Sequence, residues 1–145
     1  IVMNKKKQKS SGSKKNRLAL LAIPKPKVLE LLYMSPQEVT TAQLKEAITE
    51  TEAAEVHVWP ELDIMEITLP STATVDVETM NGFMDNEEDL QFMDEHSIKS
   101  VYAITVEEPA MKEFGACVKK FIDAYGGFLC SDSDDFTPIF KYEEL

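Results

Sequence analysis

The sequence predicts an α+β (or α/β) domain in which helices pack on a mixed β-sheet. Three alternating segments between residues 55 and 79 indicate an antiparallel meander. Residues 98–130 then follow the pattern of a strand, an amphipathic helix and a strand, which predicts one parallel βαβ unit. At 145 residues the chain is long enough to bury the core of one such domain.

The predicted βαβ unit has clear boundaries. Residues 100–106 are rich in β-branched and aromatic side chains, as in a mostly buried strand. Pro109 suits a first helical position, and apolar residues recur from there at spacings of three and four up to Tyr125. Gly126 and Gly127 then supply a left-handed helix end, after which the chain extends again.

The meander consists of residues 55–59, 62–69 and 74–79, in which apolar and polar residues alternate. Prolines separate the first two segments and follow the second, as expected for turns. Trp59, a large apolar residue on the first segment, is assigned to the core because it would bury a large area there, and it would make a binding hot spot if it were exposed.

Two shorter helices flank the meander. Ser35 is predicted to cap the first helix, with Pro36 at its first position and an end near Thr51. The second is predicted over residues 85–95, with Asp85 as its cap and an apolar side that includes Leu90. 

Three further segments are less regular. Residues 17–23 fit a short strand, and residues 27–34 fit either a strand or a helical turn. Pro138 restricts residues 136–142 to an edge strand or an extended tail, because proline cannot donate to a central ladder.

Charge divides the chain into two parts. The first 27 residues hold nine of the fifteen basic residues and no acid, and the remainder holds six basic and twenty-six acidic residues. Residues 1–16 are predicted to be a disordered basic tail, and residues 17–145 a single compact domain. The acidic body is expected to repel nucleic acid and anionic membranes, so it favours a basic protein partner or simply keeps the protein in solution. 

The cysteines and the apolar runs point to a cytoplasmic protein without a membrane segment. Cys117 and Cys130 form no CxxC motif or disulfide framework, and both fall in predicted core elements, as buried thiols in a reducing compartment do. The longest apolar runs are too short to span a bilayer.

The motif search predicts no catalytic residue, metal or cofactor. The sequence has no glycine-rich phosphate loop, no G-x-S-x-G and no HExxH motif. Its two histidines, His57 and His96, stand on a predicted strand and at a helix end, with no nucleophile beside them in sequence.

Two acidic clusters are the candidate partner-binding residues. The first stands at the start of the acidic helix and the second follows the last predicted core strand. Their members are Asp85, Glu87, Glu88, Asp89, Asp132, Asp134 and Asp135. The aspartates of the second cluster could bind Mg²⁺ or Ca²⁺, but Thr137 stands where a calcium loop needs glycine. A polar turn with edge-protecting charges explains them more simply.

Residues 126–140, GGFLCSDSDDFTPIF, carry a helix–GG–strand–acidic-loop–F-x-P pattern. This pattern resembles small acidic bacterial proteins of unassigned function, some of which resemble immunity proteins that neutralise polymorphic toxins. The resemblance implies an inhibitor of a toxin and carries no site residue to this chain.

Three functions are compatible with these observations. The first is a non-enzymatic, acidic interaction module, of the inhibitor or immunity type, that binds a basic protein. The second is a divalent-metal hydrolase or nucleotide-processing enzyme built on Asp132, Asp134 and Asp135 with one of the histidines. The third is RNA or ribosome association through the lysine-rich tail.

Overall fold

The structure is a computed structural model that describes residues 25–145. The predicted basic tail over residues 1–16 and the predicted strand over residues 17–23 therefore lie outside the described residues.

The described chain contains one seven-stranded sheet, ordered β2-β3-β4-β5-β1-β6-β7, and three α-helices. The strands are β1 (Val28–Ser35), β2 (Glu55–Trp59), β3 (Ile64–Thr68), β4 (Thr74–Thr79), β5 (Ser100–Glu107), β6 (Phe128–Ser131) and β7 (Ile139–Phe140). The helices are α1 (Thr41–Ala47), α2 (Glu87–Glu95) and α3 (Met111–Tyr125). This composition confirms the α+β class.

Strand pairing corrects the prediction of a mixed sheet, because every pair in the described sheet is antiparallel. The strands on either side of α3, β5 and β6, run in the same direction but do not pair with each other. Strand β1 lies between them, with Leu32 opposite Ala103 on one side and opposite Cys130 on the other. The periodicity of a sequence does not show that a strand from an earlier part of the chain lies between two later strands.

The larger core lies between one face of the sheet and helices α1 and α3. Alternate strand residues such as Ile67, Val77 and Ile104 point into this core, and α3 contributes Phe114 and Phe121. The helix packs there because its apolar residues recur every three or four positions and so form one stripe. It ends where Gly126 adopts a φ of 71°, as its sequence predicts.

The described residues cover the second face of the sheet only at one end. Helix α2 and the segment after β6 pack there on a smaller apolar cluster that includes Leu32, Met34 and Cys130. Phe136 from that segment and Phe92 from α2 meet within it, with ring centroids 4.6 Å apart. Over β2, β3 and β4, the same face of the sheet carries polar residues that are exposed or half-buried. 

The predicted start of the first helix is wrong. Ser35 is instead the last residue of β1 and is fully buried, and its hydroxyl donates to the Tyr125 carbonyl at 2.8 Å. The helix begins after Thr40, whose side chain accepts from the Gln43 backbone N–H while the Gln43 side chain accepts from the Thr40 N–H. This reciprocal capping box satisfies two donors that helices leave open. 

The second of the two shorter predicted helices, the acidic one, is confirmed as α2, but its N-terminal cap is Asn86 and not Asp85. The Asn86 side chain accepts from the Asp89 backbone N–H at 2.8 Å. Leu90, predicted to point inward, is 50% exposed, whereas Phe92 and Met93 pack on the smaller cluster. 

Candidate functional site

The part of the second sheet face that residues 25–145 leave uncovered carries a group of carboxylates that the strands place by simple alternation. Each carboxylate either lies between buried apolar neighbours in its own strand or lies opposite a residue of the neighbouring strand that points to the same side of the sheet. Successive strand residues point to opposite faces, so burying one set exposes the other. The carboxylates are Glu30, Glu55, Glu66, Asp76, Glu78 and Glu107.

Strand register brings several of these residues into one row across the sheet. His57 lies opposite Glu66, and Glu66 lies opposite Asp76. Asp76 in turn lies opposite Thr105, which lies opposite Glu30. Like charges directly across an antiparallel pair destabilise a sheet, so the Glu66–Asp76 pair does not serve stability.

Helix α2 and the loop after β6 extend this charge along the same side of the sheet. Two adjoining clefts separate the helix from the loop, and Glu88, Asp134 and Phe136 line both. Asp135 lines the first cleft, and Asp89 and Asp132 line the second. The fold thus brings together five of the seven acids predicted from the sequence, Glu88 and Asp89 from the first cluster and Asp132, Asp134 and Asp135 from the second.

Two of the predicted residues do not join this arrangement. Asp85 and Glu87 are exposed at the start of α2 and line neither cleft. Their carboxylates lie where negative charge complements the helix dipole, which accounts for acids in a first turn.

Asp132 is the junction between sheet, loop and helix. Its backbone N–H donates to the Glu30 carbonyl at 3.0 Å, which fixes the loop to β1. Partial burial raises the pKa of the Asp132 carboxyl above its usual value, and the nearby charges of Glu30 and Asp89 raise it further. Burial is the larger cause, and the charges of one carboxylate on β1 and one on α2 add to it.

Asp135 accepts hydrogen bonds within its own loop. Its Oδ1 accepts from the backbone N–H and the hydroxyl of Thr137 and from the Ser133 hydroxyl, at 3.2, 2.7 and 3.2 Å. These hydrogen bonds, led by that of the Thr137 side chain, hold the pKa of Asp135 below its usual value. The residue therefore organises the loop, and this leaves Asp132 and Asp134 as the loop's outward charges.

We call the combined surface the acidic face, which comprises Glu30, Glu55, Glu66, Asp76, Glu78, Glu88, Glu107, Asp89, Asp132 and Asp134. No outward-facing strand residue on this side of the described sheet is lysine or arginine. Four of the six lysines that follow residue 27 lie on α1 and α3, in the opposite layer. The opposite layer carries charges of both signs, since Glu46, Glu113 and Asp123 lie on the same two helices, whereas the Lys, Arg, Asp and Glu residues at outward strand positions of the acidic face are all acids.

Trp59 lies at the edge of the acidic face and corrects the prediction that places it in the core. It is 41% exposed and follows His57 on the same face of β2, with ring centroids 4.3 Å apart. The two rings line a hollow of about 250 Å³ together with Glu55, Glu66 and Thr68.

The other groups considered for chemistry stand apart. Residues 25–145 contain no group of three or more His, Cys, Asp or Glu placed to hold a metal ion. The ring of His96 stacks on Phe92, and its Nδ1 lies 2.9 Å from the Phe92 carbonyl oxygen. Cys117 and Cys130 are free and buried, and burial raises the pKa of each thiol to about 12.

The sheet carboxylates were missed because alternation within one strand does not show which strands share a solvent-exposed face. The signal was nevertheless present, since each of β2, β3 and β4 places at least one acid in its outward-facing set, namely Glu55, Glu66, and Asp76 with Glu78. 

Comparison of the chain with protein-family models, with curated proteins and with solved structures finds no match. Within residues 25–145, no helix has both the length and the apolar character needed to cross a bilayer.

Proposed function

We propose that the protein is a non-enzymatic interaction module whose acidic face binds a basic protein partner. The observation that carries this proposal is the convergence of the two acidic clusters with the sheet carboxylates on one side. Complementary charge accelerates association and excludes acidic competitors, so such a surface selects a cationic partner.

The cost of the arrangement supports a functional origin. Glu66 and Asp76 face each other across the sheet, and the raised pKa of Asp132 means that its charge is disfavoured in the folded chain. A basic partner would relieve both penalties by pairing with these groups. 

Within this proposal, the partner is a toxin and the protein is its inhibitor. The support is the resemblance of residues 126–140 to immunity-type proteins, together with the position of Asp132 and Asp134 inside that segment and on the acidic face. The proposal places the protein in the cytoplasm, where free buried thiols such as Cys117 persist.

The test compares two variants of equal net charge. The face variant carries Glu30→Gln, Glu66→Gln and Asp76→Asn, and the control variant carries Glu38→Gln, Glu46→Gln and Glu50→Gln at exposed positions before, on and after α1. Cross-linking in cells followed by mass spectrometry would identify the partner of the wild type, and titration of the purified pair would then measure affinity.

We expect the face variant to lose most of the affinity and the control to keep it, with wild-type affinity falling steeply as salt is added. Equal losses in the two variants would show that only total charge matters and would refute a defined binding face.

A further inference from the structure

We propose that the hollow beside Trp59 receives an arginine side chain of the partner. This inference rests on the proposed function, since it names the type of partner residue that the acidic face binds at one position. Its failure would leave the acidic face intact as a binding surface.

The hollow lies where an approaching chain can reach it. Strand β2 pairs only with β3 and is the edge of the described sheet, and helix α2 covers the opposite end of this face. Trp59 keeps 41% of its surface exposed at this edge, and its ring stands 59° from the plane of the His57 ring. 

The lining combines the two groups that attract an organic cation. An indole face attracts a cation through its quadrupole, and tryptophan is the strongest side chain in this respect. Glu55 and Glu66 line the same hollow and add negative charge beside the ring. Either group alone is common on surfaces, but together they define a site for a flat cation next to hydrogen-bond acceptors.

Arginine fits this lining better than lysine. A guanidinium is planar, stacks on aromatic rings, and presents donors in a fork that matches carboxylate oxygens. An ammonium is a compact and strongly hydrated point charge that gains little from the ring face. Long-range attraction to the acidic face depends on net charge, which the two cations share, so a preference for arginine that disappears when Trp59 is replaced isolates the contribution of the hollow.

Trp59 is the only tryptophan in the chain, so its fluorescence reports on the hollow. The experiment titrates the full-length protein with a tetra-arginine or a tetra-lysine peptide, both N-acetylated and C-amidated. Calorimetry measures the affinities and tryptophan emission reports the location. We expect the arginine peptide to bind about fivefold more tightly and to change the emission, and the lysine peptide to leave it nearly unchanged.

Three variants test the assignment. Trp59→Ala and Glu66→Gln should remove the preference for arginine, because each removes one part of the lining. Glu107→Gln removes the same charge from another position of the acidic face, so it should weaken both peptides alike and keep their ratio. Thermal unfolding checks that each variant is folded, which is expected because Trp59 and Glu107 are exposed.

The inference is overturned if both peptides bind equally without a change in emission, or if neither binds. It is also overturned if the protein self-associates and Trp59→Ala abolishes this, since the hollow would then receive a second copy of the chain. None of these results decides the proposed function, which depends on the partner experiment with the triple variants.

Discussion

The Tyr102 hydroxyl lies 2.6 Å from Oδ2 of Asp63 and thereby joins the middle strand β5 to the turn that enters β3. Oδ1 of the same carboxylate accepts from the backbone N–H and the hydroxyl of Thr41, at the start of α1. One acidic side chain thus connects two strands and a helix. Burial and the Asp63 charge raise the pKa of Tyr102, so the phenol remains a donor throughout the physiological range.

Replacing Tyr102 by phenylalanine should lower the free energy of unfolding by about 2 kcal/mol, because the Asp63 carboxylate loses a partly buried donor. Urea unfolding at neutral pH measures the change. The control is Tyr142→Phe, whose hydroxyl bonds Asp123 at the surface, and which should cost less than about 0.5 kcal/mol. Equal effects of the two substitutions would contradict the role assigned to the Tyr102–Asp63 contact.

Gly127 closes the turn between α3 and β6 in a way that no other residue can. Its φ is 87°, and a Cβ there would lie 1.8 Å from the Met34 carbonyl oxygen. We expect Gly127→Ala to cost more than about 3 kcal/mol, which thermal unfolding would show as a large fall in Tm.

The control for this prediction is Gly82→Ala. Gly82 has nearly the same φ, 88°, but a Cβ there would have no atom within 4 Å. Its substitution should cost only the left-handed backbone strain, about 1–2 kcal/mol. A similar Tm for the two variants would mean that the close approach to Met34 is relieved by a shift of the chain.

Glu52 should contribute to stability in a pH-dependent way. Its carboxylate accepts from the Thr49 backbone N–H at 2.7 Å and from the Thr49 hydroxyl at 2.9 Å, and the backbone bond is the main cause that lowers the pKa of Glu52 in the folded chain. A lowered pKa stabilises the fold above the unfolded value of 4.5, and this contribution disappears as the pH falls through the folded value.

Glu52→Gln should therefore be less stable than the wild type at pH 7, and the gap should close in acid. Urea unfolding between neutral pH and the acid limit of folding measures it. A gap that stays constant with pH would show that the carboxylate charge makes no contribution.

The contribution of Asp132 to stability depends on pH with the opposite sign to that of Glu52. Its pKa is raised in the folded chain, so its ionisation opposes folding and stability falls as the pH rises from the unfolded value of 3.8 through the folded one. Asp132→Asn should raise the Tm slightly at pH 7, by well under the equivalent of about 1 kcal/mol, because the partly buried carboxyl is still largely open to solvent, which screens its charge.

The gain from Asp132→Asn should shrink when salt screens the Glu30 and Asp89 charges. A lower Tm at low salt would indicate that the side chain makes a stabilising contact. The same substitution should weaken partner binding, so stability and binding are expected to move in opposite directions.

The elements that sequence analysis predicts best are those with one dominant period. Strand β4 has the predicted bounds, residues 74–79, because alternation continues through its whole length. Helix α3 follows its apolar stripe to Gly126 as predicted. Both patterns are local, so one sequence is sufficient to read them.

The errors arise where a local signal competes with tertiary packing. Ser35 precedes proline, as a helix cap often does, yet the apolar run of β1 continues into it and its hydroxyl binds Tyr125. The size of Trp59 predicts an inward position, whereas β2 places it on the solvent side with His57. The acidic face depends on the order of strands, which periodicity cannot supply.

The position of β1 between β5 and β6 also determines how much of the chain must be synthesised before the sheet can form. Among the described strands, β1 is synthesised first, but its two neighbours are the fifth and sixth to leave the ribosome. The backbone groups of β1 can complete their hydrogen bonds only after both β5 and β6 have been synthesised. We therefore expect the domain to fold slowly and only after Ser131 has emerged. A nascent chain interrupted before β6 would expose an apolar strand edge, which is the state that chaperones and proteases recognise.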